Sequence, residues 1–474
     1  MKNKRKYKDL LKNIILFFIS SFVPKAISFF LLPFYTSHLS TFEYGISDLI
    51  NTTVSLCVPI LTLDITDAVL RFSLDGKYDK KDIFSTAMKI ILIDVLILII
   101  LYFVKQISGF PNIENIYFIF FIIYFITNSC YNIFVSFCKG INSVNSIVIA
   151  SIINSLVTLL LNILLVGKYE KGLTGYLLAN SLGMIVAIAS LVFTAHLNKY
   201  LILKKNKSVS KEMIKYSFPM IFSAIAWWCN TASDRYIVSW MIGIDSSGVY
   251  AISSKIPTII NTFQGIFMQA WSISAIKEFD KKDEDGFIGN IFTLLFFFLT
   301  LICSLLMILN PFLSKILFAN EFYKAWKFVP PLLLAVTIDG ITLFMCHLFY
   351  AVRDTKARAI ATICGAVVNT ILNFILIKFF GAYGAAIATL IGYFTSFIIS
   401  SKYLKKYIIM KTNNKRNNLI LILLLLQMIL AYFENKFIII QLFIFFVIIF
   451  LFRKDFNKII IQVKKMIKNK KSSI

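Results

Sequence analysis

A chain of 474 residues that is 58% hydrophobic, 15% aromatic and only 15% charged, with a mean hydropathy of +0.79, is too apolar for a soluble protein of that length. A net charge of +25 would suit a nucleic-acid partner, but the 49 Lys and Arg residues sit mostly in short segments between apolar runs, which argues against one. The seven cysteines lie in or beside those runs with no CxxC spacing and read as small buried hydrophobes, and three histidines are too few for a histidine-based metal site.

The apolar runs, in chain order, are 13–36, 44–70, 82–105, 114–138, 144–167, 172–196, 213–242, 247–275, 287–310, 327–352, 357–379, 382–403, 418–433 and 437–452. A hydrocarbon core of roughly 30 Å needs about 20 residues at about 1.5 Å each. In lipid every backbone polar group must be bonded internally, and these runs lack the alternation of a barrel strand. The expected fold is therefore an all-α polytopic membrane protein with about fourteen transmembrane helices. The basic flank "MKNKRKYKDLLK" precedes an apolar stretch that is long and has no small-residue cleavage site, so the first run reads as a retained helix.

Consecutive spans alternate sides. Residues 1–12, 71–81, 139, 199–215, 277–282, 353–358, 402–416 and the tail from 453 fall on one side and carry 37 Lys and Arg, against eight on the other. The positive-inside rule then puts both termini in the cytoplasm. The basic excess is a topology signal and a grip on anionic lipid. Every loop is short and none can fold into a catalytic domain, so the chain is expected not to be an enzyme. The longest inner linker, "NKYLILKKNKSVSKEMIK" (198–215), divides an N-terminal lobe (1–202, spans 1–6) from a C-terminal lobe (203–410, spans 7–12). Residues 411–474 add spans 13 and 14 and a basic tail.

An internal repeat supports the two lobes. "KGLTGYLLANSLGM" (171–184) and "FGAYGAAIATLIGY" (380–393) match Gly172 with Gly381, Gly175 with Gly384, Ala179 with Ala388 and Gly183 with Gly392 at one offset of 209. Upstream, Asn162 answers Asn373 with a two-residue slip. Small residues at this spacing let helices approach closely in lipid, so convergence is the bland alternative to duplication. Two pseudo-symmetric six-helix bundles around one cavity is a transporter layout.

Ionisable residues at membrane depth are costly and mark cavities or pathways by default. Lys25 follows Pro24 within the first span; Asp94 and Asp339 fall near the middle of the third and tenth. Arg235 and Lys255 lie ten residues either side of Asp245, at the tip of the span 7–8 hairpin, and so at similar depth. Arginine is rare here and offers a planar fork suited to phosphate. Arg235 and Lys255 either line a cavity or snorkel outward. Asp234 cannot share a helix face with Arg235 and reads as a salt bridge to a neighbouring helix. Trp227, Trp228 and Asn230 are candidate sugar contacts, or interface aromatics in the case of the pair of tryptophans. Asp67 and Arg71 form an i,i+4 pair, with Arg71 also a candidate for an inner vestibule. Asp283 and Asp285 in "DKKDEDG" (280–286) have the spacing seen in metal-dependent glycosyltransferases but read as a solvated charge run.

The segments "LLPFYTSHLSTFEYGISDLI" (31–50), "SDRYIVSWMIGIDSSGVYAISSKI" (233–256) and "VNTILNFILIKFFGAYGAAIATLIGY" (368–393) resemble the oligosaccharide flippases of the polysaccharide-transporter family (Wzx-type), within the multidrug/oligosaccharidyl-lipid/polysaccharide exporter superfamily. The resemblance covers essentially the whole chain and implies export of an undecaprenyl-pyrophosphate-linked repeat unit across a bacterial cytoplasmic membrane, for capsule, O-antigen or a similar polymer. Family members have a cationic cavity between two six-helix lobes. On that basis Lys25, Arg235, Lys255 and Arg71 are candidates for the pyrophosphate, and Asp94 and Asp339 for coupling to protons or sodium, with no other cofactor and no metal. Partners would be the lipid-linked oligosaccharide, membrane lipids and polysaccharide polymerase machinery, with no nucleic acid. A multidrug exporter or peptidoglycan-precursor flippase of the same superfamily is the alternative, and a membrane glycosyltransferase or ligase a more remote one. Reporter fusions after Ile474 and within 198–212 should both report the cytoplasm; an external signal from either overturns the topology.

Overall fold

The structure, a computed structural model, describes residues 22–75, 77–108, 114–202, 207–352 and 354–453. The basic N-terminal flank, the start of the first expected span and the tail from 454 lie outside these. Among the described residues nine helices are long and apolar enough to cross a membrane on their own. They answer to expected spans 2–6 and 9–12. The other five expected spans fall on broken or shorter helices, and the breaks have identifiable causes.

The helices divide into two compact units, Met1–Ala232 and Ser233–Ile474. In the first, α1 (22–30) and α2 (Leu32–His38) meet at Leu31, with Pro33 in the first turn of α2, where a missing N–H costs nothing. Helix α3 (Thr41–Leu61) opens on a capping box between Ser40 and Glu43. It contains Pro59 and ends in a break at 62–64, where Leu63 and Asp64 take φ of 54° and 50°. Helices α4 (Ile65–Leu74), α5 (Lys80–Ser108), α6 (Asn115–Gly140) and α7 (Val144–Asn162) follow. A π-helical turn, Ile163–Lys168, extends α7 and is followed by α8 (Gly172–Thr194). A core around Ile83, Phe84, Phe137, Leu191 and Met213 joins α4, α5, α6 and α8 to α9 (Lys207–Ser217). Beyond Pro219, α10 (Met220–Thr231) packs on α3, and the Trp228 indole donates to the Thr52 carbonyl at 2.9 Å. These contacts join α9 and α10 to the first unit, which runs to Ala232.

The second unit starts with α11 (Ser233–Met241) and α12 (Ile244–Ser253), joined through Gly243 at φ 127°, a conformation only glycine takes without strain. A break at 254–257, with Pro257 as its last residue, precedes α13 (Thr258–Lys277). Helices α14 (Phe287–Leu317), α15 (Val329–Ala351), α16 (Thr355–Phe380) and α17 (Ala382–Leu404) form the bulk of this unit. Helix α18 (Asn414–Ala431) docks on α14 through a buried amide: the Ser304 hydroxyl donates to Gln427 Oε1 at 2.7 Å, and Gln427 Nε2 returns a bond to the Ser304 carbonyl. Helix α19 (Ile438–Arg453) closes the described chain.

The repeat reappears as geometry. Gly172 and Gly381 both take positive φ, 49° and 61°, at the starts of α8 and α17. A Cβ on Gly175 would lie 3.0 Å from the Leu165 carbonyl oxygen, and one on Gly384 would strike that of Leu376. Gly183 faces Asn154 and Thr158, while Gly392 faces Gly365 and Asn369. The glycines pair at an offset of 209, and the residues they face pair at 211. The chain between Asn162 and Gly172 is two residues longer than that between Asn373 and Gly381, and the π-helical turn takes up part of the excess. That accounts for the slip.

The "DKKDEDG" loop is not a solvated run throughout. Asp283 is fully buried at φ 49°. Its Oδ1 accepts from Ile288 N, and its Oδ2 from Gly289 N and Lys411 N, each at 3.0 Å. One carboxylate thus caps α14 and clasps the segment leading into α18. On the same side, Asp354 caps α16 through Ala357 N and accepts from the Tyr407 hydroxyl, which holds its carboxyl below the usual range. Asp283→Ala leaves three buried donors unmet and should cost about 2–4 kcal/mol, read as lowered thermal stability in detergent. Gly289→Ala should do likewise, because its Cβ would lie 2.7 Å from the Lys411 carbonyl. Melting unchanged in both variants would show that the clasp contributes nothing.

Candidate functional site

Asp234 and Arg235 lie in the first turn of α11. Asp234 is buried and turns into its own unit. Its Oδ2 accepts from the Tyr250 hydroxyl on α12 at 2.5 Å and from the Thr389 hydroxyl on α17 at 3.4 Å, while its Oδ1 accepts from Arg235 N at 2.9 Å. Thr389 in turn accepts from Asn369 Nδ2 on α16 at 3.2 Å, and Asn369 Oδ1 accepts from Asn373 Nδ2 at 2.7 Å. Hydroxyl donors from α12 and α17 thus meet the Asp234 carboxyl within its own unit. Sequence reasoning missed this network. Its signal was present in the quoted motifs, since Asn369 and Asn373 are one turn apart and Asp234 and Tyr250 flank one hairpin.

Arg235 reaches the end of α12. It is half-buried, its carbonyl accepts from Ser247, and its Nη2 donates to the Ser254 hydroxyl at 3.4 Å. Ser254 begins the break between α12 and α13, and Lys255, also half-buried, is the next residue. The hairpin therefore brings the guanidinium fork alongside the break that carries the lysine. A break leaves carbonyls and N–H groups free of helical partners, and such segments occur at membrane depth only where they face protein or water.

The other candidates lie in the first unit or deeper in the second. Lys25 is exposed on α1, and Arg71 is exposed on α4. Arg71 pairs forward with Asp75 at 4.0 Å and not back with Asp67 as expected. Trp227 is exposed and Asn230 half-buried, whereas the indole N–H of Trp228 is committed to Thr52. Asp94 on α5 is only 2% exposed, and its Oδ2 has no hydrogen-bond partner among the described residues. Asp339 on α15 is half-buried with Arg358 of α16 within electrostatic reach, and the Arg358 guanidinium stacks 4.8 Å over the Tyr350 ring. Arg358 was counted only as a loop charge. Nothing in its spacing shows that it reaches back along α15.

Breaks fall in the first and second spans of each half: at Leu31 and 62–64, and at 218–219, Ala232 and 254–257. Interrupted segments in corresponding positions of two repeats are the mark of a transporter's binding site.

Residues 10–273, more than half of the chain, match the family model described as "Polysaccharide biosynthesis protein". A curated relative, the probable low-salt glycan biosynthesis flippase Agl15 of Haloferax volcanii, is 21% identical over 418 residues, 85% of each chain. Among solved structures, the inward closed conformation of the lipid II flippase MurJ superposes with a TM-score of 0.71 at 16% identity, covering 94% of this chain and all of that one. An inward-facing multidrug resistance MATE family transporter of the MOP superfamily gives 0.63 at 12% identity, covering 82% and 97%. These two share the fold. This chain belongs to the polysaccharide biosynthesis protein family.

Proposed function

We propose that this protein is a flippase that carries a polyprenyl-pyrophosphate-linked oligosaccharide repeat unit across a bacterial cytoplasmic membrane by alternating access, with both termini in the cytoplasm. The product would feed a surface polysaccharide such as capsule or O-antigen, and a polymerase would be the downstream partner. The observation that carries this reading is the hairpin of α11 and α12, which sets the Arg235 fork beside the break bearing Lys255, with the Asp234 carboxyl bonded to the Tyr250 hydroxyl. A pyrophosphate there would meet donors and positive charge where water is scarce. Lys25 and Arg71, both exposed, are kept as further candidates for the pyrophosphate, and Trp227 and Asn230 as candidates for sugars. A multidrug exporter of cations would need the reverse polarity. A peptidoglycan-precursor flippase would share the pyrophosphate and differ in its sugar contacts.

Arg235→Ala should lower flipping of a fluorescent lipid-linked oligosaccharide in proteoliposomes at least about tenfold, with Lys restoring only part, since one ammonium replaces a bidentate fork. Full activity in the Ala variant would defeat the assignment. For coupling, the unpartnered Oδ2 favours Asp94 over Asp339, which has Arg358 in reach. Asp94→Asn should abolish stimulation of flipping by an imposed pH gradient, and stimulation that survives the substitution removes Asp94 from the pathway.

A further inference from the structure

Helix α9 is the most polar of the described helices that follow the first lobe's spans, and the flippase reading gives it no task. Its eleven residues, KSVSKEMIKYS, divide cleanly. Val209, Ser210, Met213 and Ser217 are buried against the first unit. The docking is polar as well as apolar: the Tyr78 hydroxyl donates to Glu212 Oε2 at 2.7 Å, Ser208 donates to Glu212 Oε1, and Thr86 and Ser210 share a hydrogen bond of 2.9 Å. Glu212, the helix's only acid, is itself exposed, and its carboxylate oxygens are taken by Tyr78 and Ser208. Lys207, Lys211 and Lys215 recur every four residues and are all exposed, so they make one uninterrupted stripe on the outer face. Lys77, Lys81 and Lys199 are exposed on the neighbouring segments of the same side. Just past the stripe, Tyr216, Phe218 and Phe222 are 38%, 51% and 66% exposed. A lysine stripe followed by outward aromatics, at the end of a helix that enters the apolar region, is the composition of a segment seated at a headgroup boundary.

We propose that α9 is a lipid-binding element: its Lys207–Lys211–Lys215 stripe docks on anionic phospholipid headgroups of the leaflet at the lysine-rich side, with the aromatics of 216–222 anchored just beneath. Charge complementarity commits the surface to phosphate-bearing lipid. A phosphate-bearing soluble ligand would not use the aromatics, and an acidic protein would not need the membrane. The full chain is placed in nanodiscs of phosphatidylcholine alone or with phosphatidylglycerol, and hydrogen exchange of the α9 amides is followed. Exchange should slow about threefold or more with the anionic lipid, and the difference should vanish at about 0.5 M salt and in the Lys207→Gln, Lys211→Gln, Lys215→Gln triple variant. Tyr78→Phe, which loosens the inward docking, should speed exchange in both lipids and leave their ratio unchanged. Equal exchange in the two lipids, a difference that persists in the triple variant, or the same protection from inorganic phosphate in phosphatidylcholine discs would overturn the proposal.

Discussion

The architecture depends on one constraint: a backbone polar group in hydrocarbon has no water to bond and must find its partner inside the protein. Long unbroken helices such as α14 and α16 meet it by themselves. The constraint then makes every interruption meaningful. Proline explains why the chain can break at Pro33, Pro59, Pro219 and Pro257, but not why a membrane protein keeps the breaks. A backbone polar group left unmet in lipid costs several kcal/mol, and at 62–65 and 254–260 turn bonds such as Asp64 N to Pro59 O and Thr258 N to Ser254 O meet part of that need. The recurrence of breaks in the first two spans of each half indicates that they face protein or a wet cavity, and binding sites are built from such segments.

The same constraint governs how helices approach each other. Lipid tails are as apolar as leucine, so helix pairs gain little from burying leucine and gain more from closeness. The pairs α7–α8 and α16–α17 use the same solution twice. Gly183 and Gly392 leave room for a neighbouring backbone, and a buried asparagine, Asn162 or Asn373, lies one turn beyond the contact. In each asparagine the amide donates one turn back along its own helix while the carbonyl oxygen is left without a partner among the described residues. The acceptors differ, the Thr158 carbonyl in one case and Asn369 Oδ1 in the other, but two positions 211 apart repeat the backward-donating amide, which adds to the glycine spacing in favour of duplication. Convergence on close packing explains small residues but not a shared unsatisfied oxygen.

Much of this was legible in the sequence, and the part that was not shares a cause. Runs of apolar residues located the helices, because insertion energy is nearly additive along a chain. The offset of 209 located the repeat. Kinks were only half-legible: proline marks where a helix can break, whereas the left-handed pair Leu63 and Asp64 and the break at Ala232 carry no such mark. Long-range polar contacts were not legible. Asp283 in a run of charges looks like its neighbours Asp280 and Asp285, yet it alone is buried, because the partner that selects it, Lys411 N, is 128 residues away. Trp228 and Trp227 are likewise adjacent and identical in type, and only the first finds a carbonyl to bond.

Asp234 and Arg235 are the sharpest case. Side by side in sequence they suggest mutual neutralisation, which would leave the site without net charge. Successive helical residues point about 100° apart, so the two groups answer to different surroundings. The carboxyl accepts from Tyr250, Thr389 and a backbone N–H, all neutral donors. Hydroxyls on α12 and α17 thus meet the acid, and Arg235 Nη2 meets Ser254 beside Lys255. On the flippase reading, the selectivity of the site for an anion rests as much on where Tyr250 and Thr389 place the aspartate as on the arginine itself.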